Sequence, residues 1–196
     1  LSAEIFSPNG DGIKDTASLN YTVLEPVHLE FNIYDKDNNL VNTLKRDYTS
    51  PAVDYVSWDG RDSTGKVLPD GKYKITVFDY GFFVEIDNTP PDVRVSLSPV
   101  HQYPPNYTLF LDISGHAYDS NLKRWTVEYG DGDNPQQWYE LISGSEQLLR
   151  RGDDGQPLLN PIVDAGVQTI TGPDLEFFLG KRLRITAEDY AGHKST

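Results

Sequence analysis

Cysteine is absent from the 196 residues. Its absence excludes a disulfide-stapled scaffold and any thiol chemistry, and leaves the compartment open, since many bacterial surface proteins also lack it. No run of about 18 apolar residues occurs, so no transmembrane helix is expected. No signal-peptide pattern stands at Leu1, but the chain is expected to be a piece of a longer protein, so missing targeting signals carry no weight. Positive charge is scarce: 17 Lys and Arg against 30 Asp and Glu leave a net charge of −13. Like charge repels phosphate backbones and anionic lipid, and no counterion release is gained. The expectation is no nucleic acid and no direct membrane insertion. Histidine is scarce as well. His28, His101, His116 and His193 are scattered, and none lies two to five residues from another in a metal-ligand pattern. There is no Gly-x-Ser-x-Gly elbow and no nucleotide-binding glycine loop. The carboxylates fall in turns, where Asp caps its own backbone, and no two stand out as a glycosidase pair. No enzymatic activity is expected.

What is present is period-2 alternation, with no long amphipathic helix. Leu19, Tyr21 and Val23 share one face, as do Leu29, Phe31 and Ile33. Asp35–Asn39 reads as a hairpin loop into Leu40–Leu44. Tyr73, Ile75 and Val77 alternate with Lys72, Lys74 and Thr76, a strand with one wet face. Asp87-Asn88-Thr89-Pro90-Pro91-Asp92 then interrupts the pattern. Two successive prolines cannot sit in a central strand, so a short stiff linker is expected there, dividing the chain into modules 1–88 and 89–196. Beyond it Val93, Val95 and Leu97, then Leu109, Leu111 and Ile113, then Trp125, Val127 and Tyr129 alternate again. From Ser143 to Pro173 the pattern weakens, and a short helix is expected near Ser145–Leu149. Gly71–Gly81 aligns with Gly180–Tyr190, a glycine-opened strand ending on an acidic residue in each module, with the last strand of the second module lying beyond Thr196 or barely begun. The fold expected is all-β, two tandem immunoglobulin-like antiparallel sandwiches, the second truncated at its C-terminal end.

The richest local pattern is Phe6-Ser7-Pro8-Asn9-Gly10-Asp11-Gly12-Ile13-Lys14-Asp15. Short carboxylates and amides crowd into a glycine-rich loop, which suits a hard cation such as calcium. In EF-hand register Ser7, Asn9 and Asp11 take positions 1, 3 and 5, Gly12 the sharp turn, Ile13 the carbonyl position and Asp15 position 9. Position 12 is Ser18 rather than a bidentate Glu, so this is not an EF-hand. The ligands expected are Asn9, Asp11, the Ile13 carbonyl and Asp15, with Ser7 and a further carboxylate, Asp79 or Asp35, filling the shell. The alternative is a tight turn in which Asn and Asp cap backbone groups with no ion bound.

Phe6–Asp15, then Trp58-Asp59-Gly60-Arg61-Asp62 with Gly65, and Leu68-Pro69-Asp70-Gly71-Lys72-Tyr73, together resemble bacterial Ig-like modules of the flagellar hook-capping (FlgD-like) type. The resemblance covers about residues 4–88. It lacks the Asn-Arg-Trp-Gly segment of gliding-motility sorting modules, so no sorting role carries over. The second module is similar to other bacterial Ig-like repeats through His116–Asp119 and Ala187–Gly192, but without the Trp-Asp-Gly turn. The resemblance implies an extracellular spacer or presentation module, calcium-stabilised in the first half.

Two further patterns have a binding reading beside a packing one. Trp125, Trp138 and Tyr139 are candidates for a carbohydrate-stacking platform, against ordinary cross-strand packing. Arg151-Gly152-Asp153 spells an integrin-type tripeptide, against ordinary turn composition. The function expected is a non-enzymatic spacer and adhesion scaffold of a bacterial surface or secreted protein, extracellular, with the periplasm as the other compartment. Its partners are neighbouring modules of the same polypeptide and a protein or glycan ligand. The alternative is an accessory, carbohydrate-binding region of a secreted hydrolase.

Overall fold

A computed structural model describes residues 4–98, 100–103, 108–159, 164–171 and 173–196. Strands make up 58% of it and helix 3%, which establishes the all-β class. The chain forms two compact units, Leu1–Thr89 with Tyr190–Gly192, and Pro90–Asp189 with His193–Thr196.

In the first unit the strands are β1 (Ile5–Phe6), β2 (Ala17–Val23), β3 (Val27–Tyr34), β4 (Leu40–Tyr48), β5 (Ala52–Trp58), β6 (Gly71–Val77) and β7 (Tyr80–Ile86). They build a five-stranded sheet in the order β1-β7-β6-β3-β4 and a two-stranded sheet β2-β5. All strand pairs are antiparallel except β1 with β7, which run parallel. The alternation explains the packing: Leu29, Phe31 and Ile33 of β3, Tyr73 and Ile75 of β6, and Leu19 and Val23 of β2 point into one shared core. Each such side chain contributes about 1.5–3 kcal/mol on burial. Trp58 closes one end. It is 1% exposed, meets Phe6 and Tyr73 edge-on at 5.5 and 5.3 Å between centroids, and donates its indole N–H to the Arg61 carbonyl at 2.9 Å.

The second unit contains β8 (Asp92–Leu97), β9 (His101–Tyr103), β10 (Thr108–Tyr118), β11 (Leu122–Asp131), β12 (Tyr139–Gly144), β13 (Ala165–Thr171), α1 (Pro173–Phe178), β14 (Lys181–Asp189) and β15 (Lys194–Ser195). One sheet runs β12-β11-β14-β15; the other runs β13-β10-β8, with β9 also on β10. The order β15-β14-β11-β12 repeats β7-β6-β3-β4 of the first unit. The sandwich plan is therefore duplicated, although the connections differ. Both edges of β10 carry strands, whereas β2 pairs only with β5 among the described residues. Beside β2 an apolar cleft of about 420 Å³ opens over Leu29, Phe31, Val77 and Phe82.

The helix expected near Ser145–Leu149 does not form. Leu148 instead exchanges two backbone hydrogen bonds with Ala117, both 3.0 Å, in an isolated bridge whose neighbours form bends and irregular chain. A short helix does form at Pro173–Phe178. Proline suits a first helical position, and Asp174 and Glu176 sit in the turn where the helix dipole favours negative charge. Leu175 anchors it in the core with Leu111, Ile113 and Ile170.

Candidate functional site

The loop between β1 and β2 is held by its own side chains. Gly10 and Gly12 adopt φ of +82° and +87°, and Lys14 follows at +53°. These left-handed residues turn successive amides inward, and glycine takes that conformation without steric cost. Asp15 receives them: its Oδ1 accepts the Gly10 N–H at 2.7 Å and its Oδ2 the Gly12 N–H at 2.8 Å. Asp11 Oδ1 accepts the Ile13 N–H at 2.7 Å, and Asn9 Oδ1 accepts the Asp11 N–H at 2.9 Å. Asn9 Nδ2 donates to Asp11 Oδ2 at 3.0 Å. The loop is closed by the Ser7 N–H on the Lys14 carbonyl at 2.9 Å.

Asn9, Asp11 and Asp15 thus lie together as their spacing predicts, with each oxygen already accepting one hydrogen bond. A carboxylate oxygen has a second acceptor direction, so the arrangement still offers lone pairs to a cation. Ser7 is turned away. It is 1% exposed, and its hydroxyl donates to Asn88 Oδ1 at 3.1 Å. Ser18, at the twelfth position, belongs to β2, where its hydroxyl donates to Ser57 at 3.0 Å.

The two carboxylates nominated to complete the shell are placed elsewhere. Asp35 is consumed by its own hairpin, accepting the N–H groups of Asp37 and Asn39 at 2.8 and 2.9 Å and the Asn39 side chain at 2.9 Å. Those bonds hold its carboxyl below the usual range, the Asn39 side chain being the main cause. Asp79 sits in the turn after Val77, whereas the loop leaves the sheet beside Ile86. The length of β7 separates them, about 20 Å at the usual strand rise. Asp79 is therefore corrected out of the ligand set. Sequence reasoning missed Asp70, which lies at the loop's end of the sandwich. It accepts from the Asn88 backbone and side chain at 2.9 and 3.0 Å and from the Thr89 hydroxyl at 2.6 Å, and so orients the Asn88 amide that holds Ser7.

The aromatic platform is not assembled. Trp125 is 7% exposed, faces the core with Val127, and donates its indole N–H to the Glu146 carbonyl at 2.7 Å. Tyr139 stacks on Tyr129 at 5.6 Å, on the side where Tyr129 meets Phe177 and Phe178. Trp138 packs instead over the Arg184 guanidinium at 4.3 Å. Arg184 also forms a two-pronged pair with Glu128 at 2.7 and 3.2 Å, on the opposite face of β11 from Trp125. One sheet thus separates the rings.

The Arg-Gly-Asp triplet is part of a turn that occurs twice. In the first unit Arg61 Nη1 donates to the Gly65 carbonyl at 2.9 Å, Asp62 N–H to Lys66 at 2.9 Å, and Leu68 N–H to Gly60 at 2.9 Å. In the second, Arg151 Nη1 donates to Gly155 at 3.0 Å, Gly152 N–H to Gln156 at 2.9 Å, and Leu158 N–H to Arg150 at 2.9 Å. Arg151 is tied back onto its own loop, and the Trp-Asp-Gly-type turn missing from the second sequence has a structural counterpart there.

Residues 7–80 match the family model of the FlgD Ig-like domain. The first unit resembles a FlgD-type Ig-like module. Domains of this kind are non-catalytic. The chain is also similar to the C5a peptidases of Streptococcus pyogenes, including those of serotype M1 and of a serotype M6 strain. Each is 31% identical over 116 residues, a match covering 46% of this chain. The chain spans only a tenth of the length of these curated relatives. Among the described residues, no helix is long and apolar enough to cross a membrane.

Proposed function

We propose that these two units are non-enzymatic spacer modules of a larger bacterial surface or secreted protein, holding functional parts at a set distance and offering a scaffold for adhesion. The observation that carries this reading is the duplicated sheet order, β7-β6-β3-β4 and β15-β14-β11-β12. Serial sandwiches supply length, and length rather than chemistry is what a spacer needs. The fraction of the relatives that the chain spans fits a piece of a much longer polypeptide. The peptidase activity for which those relatives are named favours a second reading, an accessory region of a secreted hydrolase. Incubating the 196-residue chain with C5a separates catalysis from support. No cleavage is expected, and cleavage overturns the non-enzymatic reading. Pulling the chain in a force spectrometer should give two unfolding steps, each releasing about 85–105 residues at ~3.5 Å apiece. A single step of twice that length would remove the spacer reading.

We further propose that Asn9, Asp11, the Ile13 carbonyl and Asp15 bind calcium. Two carboxylates and an open shell suit an affinity in the ~10⁻⁴ to 10⁻³ M range of extracellular modules.

A further inference from the structure

In the second unit β8 pairs with β10 in a register that sets His116 opposite Arg94 and Tyr118 opposite Asp92. His116, Arg94 and Asp92 therefore share one face. The His116 side chain is 10% exposed, and its Nδ1 lies 2.8 Å from Asp164 Oδ1. A carboxylate only accepts, so Nδ1 carries a proton, and in the neutral ring Nε2 presents its lone pair. Asp164 is steadied from its other side by Arg94 Nε, 3.6 Å from Oδ2. This is the arrangement in which an outer carboxylate fixes the tautomer and direction of a metal-binding imidazole.

Nε2 is buried and has no hydrogen-bond partner. The atom facing it is Asp92 Oδ1, 3.4 Å away. In the neutral ring a lone pair and a carboxylate oxygen face each other there and repel unless a cation lies between them. A proton alone leaves an N···O contact longer than the ~2.7–3.2 Å of a hydrogen bond. Two ligand atoms each ~2.0 Å from a tetrahedral ion lie ~3.3 Å apart, which is the spacing observed.

We propose that His116 Nε2 and Asp92 Oδ1 bind a divalent transition ion of the zinc class, with Asp164 as the positioning residue behind the imidazole and water completing the shell. The Asp92 side chain is 61% exposed, so the ion enters from its side. Two protein ligands make the site weak, and it ties β8 to β10 rather than serving catalysis.

The test is a zinc chloride titration of the full chain, followed by long-range proton–nitrogen spectra of the histidine rings. These spectra distinguish His116 from His28 and His193, which also contact carboxylates. The His116 Nε2 resonance should move to a metal-bound position and saturate. Asp92→Asn changes an exposed side chain and leaves the fold intact; it should weaken that response about tenfold or more. Asp164→Asn should weaken it and broaden the tautomer distribution in the metal-free protein. A His116 Nε2 signal unmoved by excess zinc, or an identical titration in Asp92→Asn, overturns the proposal.

Discussion

Replacing Asp15 by Asn tests whether the β1–β2 loop is a turn that holds itself, a cation site, or both. In the structure both oxygens of Asp15 accept backbone N–H groups, at 2.7 and 2.8 Å. Asparagine keeps the shape but converts one acceptor into an NH₂, so either Gly10 or Gly12 faces a donor. A hydrogen bond to a charged group contributes about 1.5–3 kcal/mol when shielded, and solvent at this exposed loop reduces that to about 1 kcal/mol or less. For a unit of this size the first melting transition should fall by roughly 4–8 °C in EDTA. Calcium adds a separate increment. At about 10 mM, ~100-fold above a Kd near 10⁻⁴ M, binding adds about 2.7 kcal/mol to the wild-type first unit and much less to the variant. Scanning calorimetry of both proteins, with EDTA and with calcium, gives four curves that separate the effects. Identical wild-type curves in the two buffers refute the calcium reading. A variant melting like wild type in EDTA refutes the hydrogen-bond account instead.

Gly115→Ala should abolish the cooperative unfolding of the second unit or cost about 3 kcal/mol or more, because a Cβ there would stand 2.2 Å from the Arg94 carbonyl oxygen and 3.1 Å from the Val95 Cα, backbone atoms of β8 that cannot swing aside as a side chain would. Urea denaturation should show the first unit's transition unchanged. Trp58→Phe removes the indole bond to the Arg61 carbonyl and part of a ring packed against Phe6 and Tyr73. A loss of about 1–3 kcal/mol in the first transition is expected, and a neutral result would mean that the ring is not the plug of this core. The pH dependence should also be uneven. The carboxyls of Glu30, Asp35, Asp54 and Asp62 are held low, chiefly by side-chain hydrogen bonds from Lys45, Asn39, Tyr48 and Thr64. Groups with depressed folded-state pKa values contribute stability above their unfolded values and lose it as pH falls through the folded ones. All four belong to the first unit, whereas in the second only Glu188, bonded to Lys123, is held down among the described residues. Melting between neutral pH and pH ~3 should therefore lower the first transition more than the second, and an equal decline would contradict the assignment.

The fold was legible because alternation fixes which residues share a side: Leu29, Phe31 and Ile33 are buried together as their spacing requires. Alternation does not say which side faces the core, and that is why the aromatic set left a binding reading open beside the packing one. Trp125 and Trp138 both lie near strands of one sheet, yet a bulge between Val127 and Glu128 and the turn before β12 put them on opposite faces. The grouping of Asn9, Asp11 and Asp15 was legible because a turn brings together residues that are already neighbours in sequence. Asp79 failed for the opposite reason, since its distance from the loop depends on the direction of β7.

His116 and Asp92 share that difficulty. They are 24 positions apart, outside any spacing motif, and only the β8–β10 register makes them neighbours. That register is selected in turn by a small residue: Gly115 lies opposite Val95, and a side chain there would force the two backbones apart. A sandwich assembles chemistry across strands, so its cross-strand sites depend on register first and on ligand identity second. Shifting β8 by one residue would turn Asp92 and Arg94 to the other face and leave His116 beside Val93 and Val95. The same step would expose the valines that pack against the core of this unit. The packing that stabilises the second sandwich therefore also holds the lone pair of His116 against a carboxylate, and changes at Gly115 or Val95 should weaken zinc binding without touching either ligand.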